Sequence, residues 1–282
     1  MLVTHISASL FLISSALTVQ ARYVGYNAAS TELYRRGESE CRNMDTDFAK
    51  TTEGWVLQRG STTETYDITD EGLTMKILKP TEYEEHYEPL VDNKVPGKLK
   101  YNEYEGKGFT FNATTLMHYG KFSATLKSAK VPGAVTAVIL IADNGDEIDF
   151  EFLAGPKKQI TSNYFYGPRI VYGENGKVID APKGNAYDQF YTYSIEWSPE
   201  KVVWKIDNNV IRTLTRDETD PKNGTEPAYP THAARVQIGL WDGSGVSGTA
   251  QWARGPINWG EQDGPIEAYI KNVKIECDPK YN

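Results

Sequence analysis

The segment Glu147-Ile-Asp-Phe-Glu-Phe152 alternates strictly between carboxylates and large apolar side chains. Successive side chains of a strand point to opposite faces, so a period of two predicts a β-strand. Glu147, Asp149 and Glu151 then share one face, and Ile148, Phe150 and Phe152 the other. The apolar face must bury against a second layer. It also fixes the register, because a slip of one residue would drive three carboxylates into the core. Asn144-Gly145-Asp146, directly upstream, is a tight-turn signal that follows an apolar run over 135–142.

The rest of the chain agrees with this reading. Short β-branched and aromatic runs over 73–77, 120–126, 135–142, 147–153, 191–197, 202–206, 236–241 and 268–276 predict strands. Turn signals fall at Asn175-Gly176, Asp207-Asn208-Asn209 and Asp242-Gly243, besides Asn144-Gly145. Residues 193–207 read as a hairpin carrying Trp197 and Trp204, both expected to pack in the core. No long helical period is present, and short helices are expected only near 47–51 or 216–219. The fold class is all-β, a sandwich or barrel, and 282 residues suit one such domain.

The net charge of −8 argues against a nucleic-acid partner, which calls for a basic stripe, and against anionic membranes. Residues 6–19 are apolar and small, and Val19-Gln20-Ala21 resembles a cleavage site, so 1–21 reads as a signal peptide and the protein as secreted. Residues 22–44 form a lead-in, 45–277 the β-domain and 278–282 a short tail with no apolar anchor signal. A monomer is expected. The two cysteines outside the leader, Cys41 and Cys277, suggest one disulfide in a secreted chain, two free thiols being the alternative. Asn112 and Asn223 head Asn-x-Thr glycosylation sequons. Histidines 5, 86, 118 and 232 show no zinc-type spacing, and no glycine-rich phosphate loop follows a strand. No cofactor is implied.

A bare acid-x-acid-x-acid pattern arises about once by chance in a chain this acidic. Its context is more informative. Three like charges on one strand face repel, and an ordinary solvated strand gains nothing by stacking them. An active site does gain, because a crowded carboxyl has a raised pKa and holds a proton near neutrality. Positions four apart on a strand lie about 13 Å apart. Side chains leaning together over a curved sheet reach a separation of about 5–6 Å, near that of the carboxyl pair of retaining glycosidases.

Glu147-Ile-Asp-Phe-Glu151 matches the E-[ILV]-D-x-E signature of glycoside hydrolase family 16. With Tyr119-Gly-Lys-Phe122, the segment 131–140, Asp146 to Leu153 and Asn163-Tyr-Phe-Tyr166, the chain resembles the fungal Crh-type chitin–glucan transglycosylases. The resemblance runs from about residue 45 to the C-terminus. It implies a curved, two-sheet β-jelly-roll with a sugar cleft on the concave sheet. It makes Glu147 the nucleophile, Glu151 the acid/base and Asp149 the assisting carboxylate. Chitin and β-glucan are the implied substrates. A structural calcium is compatible with the family but not localised by the sequence.

Val236 to Trp241 repeats the two-faced logic. Gln237, Gly239 and Trp241 oppose an apolar set and suit a pyranose ring, with sheet-edge packing as the alternative for Trp241. The resemblance places Gln237, Trp241 and Thr249 in the sugar cleft. It also puts a tryptophan-closed loop between Trp252 and Trp259, leaving open which indole meets sugar and which packs in the core. Tyr164 and Tyr166 are expected to line the acceptor side. A β-glucan endohydrolase and a lectin-like sugar-binding module are the competing readings.

Overall fold

The computed structural model describes residues 41–58, 60–89 and 97–282. The expected signal peptide and most of the lead-in lie outside the described residues. In chain order the strands are β1 (Met44–Asp47), β2 (Trp55–Leu57), β3 (Tyr66–Thr69), β4 (Gly72–Ile77), β5 (Glu85–Pro89) and β6 (Lys98–Asn102). Next come β7 (Phe109–Met117), β8 (Gly120–Lys127), β9 (Ala134–Ala142), β10 (Glu147–Leu153), β11 (Ile160–Phe165) and β12 (Lys177–Ile179). The last are β13 (Tyr191–Trp197), β14 (Lys201–Ile206), β15 (Asn209–Thr215), β16 (Ala234–Asp242) and β17 (Ile266–Cys277). Among the described residues one short α-helix, α1, spans Ser247–Trp252.

Two antiparallel sheets carry the fold. One runs β12-β11-β10-β9-β16-β7-β2, and the other runs β15-β14-β13-β8-β17-β4-β3 with β1 paired to β17. All eight expected strands form, each end falling within two residues of its expected position. The apolar residues of the carboxylate strand bury as the alternation requires. Ile148, Phe150 and Phe152 are at most 1 % exposed, and Phe150 and Phe152 meet Tyr193 of the other sheet edge-on at 5.5 and 4.5 Å. Trp197 and Trp204 are buried in the same core. Burial of this many large rings, at about 25 cal/mol per Å² of apolar surface, holds the layers together and leaves each sheet one outer face.

Asp207 and Asn208 adopt left-handed φ of 48° and 66°, the pair a tight hairpin turn demands. Residues 216–219 form a 3-10 turn, but 47–51 is not helical. Strand β16 continues through Asp242, where a turn was expected. The reason is that the Asp242 carboxylate is buried and accepts N–H bonds from Gly106, Ser244 and the indole of Trp259. Cys41 and Cys277 form a disulfide that ties the first described residue to the end of β17.

Candidate active site

β10 is a central strand, flanked by β9 and β11, so its outward side chains are crowded from both sides. The register aligns three rows. Glu147 stands beside Phe165 and Ile141, Asp149 beside Asn163 and Ile139, and Glu151 beside Thr161 and Ala137. Beyond Ile141 the first row continues to Arg235 on β16, a buried side chain whose Nη2 donates to Asp143 at 3.0 Å. Glu147 and Glu151 are half-buried, and Asp149 is completely buried.

Burial of this kind disfavours the charged form of a carboxyl. Burial raises Asp149 well above its ordinary range, the charges of Glu151 and Glu147 push the same way, and Arg212 opposes them. Burial, with the charge of Glu147, pushes Glu151 up to about 8. Burial pushes Glu147 up to about 7 against the effect of its hydrogen bond with Asp149. All three carboxyls are thus pushed toward their protonated forms, by burial first.

Asp146, at the turn before Glu147, has a different task. It is 1 % exposed and accepts N–H bonds from Gly167, Thr231 and His232, and the His232 ring nitrogen lies 2.9 Å away. Burial would raise this carboxyl, but the hydrogen bonds prevail and hold it below its ordinary value. It pins the start of the carboxylate strand to two neighbouring loops.

Across the sheet, β16 pairs with β9 so that Gln237 faces Ile139, Gly239 faces Ala137 and Trp241 faces Val135. These three lie on the carboxylate face, as the alternation predicted. Gln237 Nε2 donates to Asn112 Oδ1 at 2.8 Å and to Gln58 Oε1 at 3.2 Å, forming a polar amide cluster in the same row as Asp149. Trp241 and Trp252 lie nearly parallel, at 17° with centroids 6.1 Å apart, and Trp252 is 38 % exposed. Thr249 sits on α1 three positions before Trp252, on the same side of the helix.

Four sequence expectations are corrected. Trp259 is 1 % exposed with its N–H on Asp242, so it is a core residue, and Trp252 is the indole left open to solvent. Tyr164 pairs with Ile148, which puts it on the apolar side, 7 % exposed in the core. Tyr166 lies beyond the end of β11, bridged to Arg169 and outside the carboxylate rows. Asn112 is 6 % exposed within the amide cluster and leaves no path for a glycan.

The register also exposes what the sequence reading missed. The β11 residues beside the carboxylates are Thr161, Asn163 and Phe165, one position out of phase with the expected tyrosines. Phe165 meets Tyr172 at 5.5 Å, and Tyr172 is raised by burial and by the charge of Glu147. Alternation on β11, paired to β10 through a correctly placed hairpin, was the signal that would have found them. Glu84, His86 and Glu103 bring ligand-type atoms within 4.8 Å of one another, a grouping that sequence spacing does not encode.

The profile described as "Glycosyl hydrolases family 16" matches residues 61–264, most of the chain and all of the rows above. The chain belongs to this family. Crh-like protein 2 of Aspergillus fumigatus is 33 % identical over 169 residues, covering 57 % of this chain and 38 % of that protein. Crh-like protein UTR2 of Candida albicans is 35 % identical over 173 residues, covering 59 % and 36 %. The chain thus spans less than half the length of these curated relatives. A Crh5 transglycosylase in complex with NAG superposes with a TM-score of 0.66 at 26 % identity, covering 83 % of each chain. A Bacillus licheniformis β-glucanase shares the fold, with a TM-score of 0.61 at 18 % identity over 84 % of this chain and 98 % of that one. The two-sheet architecture is therefore the jelly-roll sandwich of family 16.

Proposed function

We propose that this chain is a retaining transglycosylase of fungal cell-wall polysaccharide. It cleaves a β-linked chitin or glucan chain and passes the cleaved end to a glucan acceptor. The observation that carries this reading is the set of three crowded carboxyls on one face of β10, each pushed toward its protonated form by burial. Glu147 attacks the anomeric carbon as the glycosidic C–O bond breaks, and Glu151 gives its proton to the departing oxygen. Glu151 then takes the proton of an acceptor hydroxyl, whose oxygen attacks the same carbon and releases Glu147. Asp149 shares its proton with Glu147, so that the nucleophile ionises on demand. Gln237 supplies a polar donor for sugar hydroxyls, and the Trp241–Trp252 shelf packs against the C–H faces of pyranose rings. The likeness to Crh-like proteins and to a NAG-bound Crh5 transglycosylase supports this substrate class.

The secretory route follows from the same reading. A disulfide persists in an oxidising compartment. Asn223 lies in an exposed loop where a glycan has room. No described helix is long and apolar enough to cross a membrane. The residues from 45 to 277 make up the catalytic domain.

The test is the product profile on chitin oligomers with a labelled β-glucan acceptor. Hybrid chitin–glucan products are expected. Free reducing ends with no hybrid would reject the transferase in favour of a hydrolase, and binding with no cleavage would leave a lectin.

A further inference from the structure

We propose that Trp204 and Arg212 are a positioning pair for the carboxylate row, acting from the opposite sheet through the backbone of Asp149 and through β11. The inference rests on the catalytic reading of that row. Trp204 lies on β14, is completely buried, and donates its indole N–H to the Asp149 carbonyl oxygen at 2.9 Å. The bond crosses the core and fixes the middle of the carboxylate strand from behind. Arg212, the cross-strand partner of Trp204 on β15, lies with its guanidinium 4.5 Å from the indole ring. Its Nη1 donates to the Ser162 carbonyl oxygen at 2.6 Å and to Ser162 Oγ at 3.2 Å, and its Nη2 to the Asn175 carbonyl oxygen at 2.8 Å. Ser162 is the cross-strand partner of Phe150. One side chain therefore ties the strand beside the carboxylates to the residue that holds Asp149.

Two features set this apart from ordinary packing. The β14–β15 register shifts just past the Trp204–Arg212 pair and leaves Ile211 without a partner, a bulge of the kind that re-aims a neighbouring side chain. An arginine on an edge strand ordinarily reaches solvent. Here it is turned inward, and all three donor contacts go to uncharged oxygens. Its charge is fixed, because a guanidinium does not lose its proton, and among the described residues no carboxylate forms a salt bridge with it.

The groups around Asp149 make that charge count. Glu147 and Glu151 flank it on its own strand, β9 offers Ile139, β11 offers Asn163 with Tyr164 on the far side, and β14 offers only the indole. Arg212, from β15, is the cation whose charge opposes the crowding. Arg212 in turn faces Tyr164 and Glu218. The pair thus aims the row through hydrogen bonds and limits how tightly Asp149 keeps its proton.

The test uses the full chain with ¹³C-labelled Asp and Glu carboxyls, titrated by NMR, beside kcat and KM on glycan substrate. Arg212→Gln is expected to move the Asp149 titration to higher pH, while Arg212→Lys keeps it at the wild-type midpoint. Trp204→Phe keeps the ring and loses the N–H. It is expected to lower kcat by about tenfold, with KM held within about twofold. An Asp149 midpoint unchanged in a folded Arg212→Gln protein overturns the electrostatic half. A Trp204→Phe protein with wild-type kcat, or with only a lower melting temperature, overturns the positional half. If Arg212→Gln does not fold, Arg212→Met read against Arg212→Lys gives the same comparison. The titration needs no turnover, so an inactive wild type would sink the catalytic reading while leaving the charge coupling measured.

Discussion

The outer faces of the two sheets treat charge in opposite ways. On the sheet built around β8 and β13, acids meet bases. Glu196 pairs with Lys205 at 2.5 Å and with Lys121 at 3.9 Å, Lys274 meets Glu276 at 3.1 Å, and Lys76 meets Asp67. Its neutral positions pair too, Ser123 with Ser194 and Thr125 with Thr192, each at 2.9 Å. On the sheet built around β10, three acids stand in sequence on one strand between uncharged neighbours on both flanking strands, and the central acid is completely buried. One face is arranged for solubility at low electrostatic cost. The other accumulates repulsion and desolvation, which raise proton affinity where a reaction uses it.

The largest expected effect of breaking this contrast falls on turnover. Glu147→Gln should cut kcat by more than about a thousandfold while glycan binding persists, measured by initial rates beside isothermal titration. Removing Lys205 should leave kcat unchanged in the same assay.

A smaller effect falls on stability, with an unusual pH dependence. A carboxyl raised by burial holds its proton more tightly in the folded chain than in the unfolded one. Its contribution is full below the ordinary value of 4.5 and is lost as pH rises through about 8 for Glu151. Stability should therefore fall with rising pH across that window. Glu151→Gln should remove part of the slope, raising the melting temperature by about 2–4 °C at pH 8.5 and hardly at all at pH 4.5. A slope identical to that of the wild type would contradict the assignment of the raised group.

The smallest effect belongs to the other face. Lys205→Met should cost no more than about 1 kcal/mol by denaturant unfolding, because a half-exposed ion pair on a sheet face contributes little and Glu196 keeps Lys121 beside it. A larger loss there would erase the contrast between the faces.

The carboxylate strand was legible because two opposed residue classes alternate along it, and only one register keeps the acids out of the core. The faces of β16 were legible for the same reason, and Gln237 and Trp241 lie where alternation put them. The tyrosines of β11 were not. Their phase depends on cross-strand pairing, and the strand Ile-Thr-Ser-Asn-Tyr-Phe mixes polar and apolar residues on both faces. Trp252 and Trp259 have the same composition, and only the buried Asp242 acceptor separates the core indole from the open one. The Asn112 sequon failed because a tripeptide carries no information on burial. The bulge at Ile211 and the inward Arg212 have no local signal, since both depend on what β14 and β11 offer across the core.

The most direct measurement is mass spectrometry of the protein incubated with an activated 2-deoxy-2-fluoro β-glycoside, which slows release of a glycosyl-enzyme. One covalent glycosyl adduct is expected, mapped by peptide digestion to Glu147, with the β configuration retained in the transfer product. Turnover with inverted configuration and no adduct, or an adduct on any other residue, would contradict it.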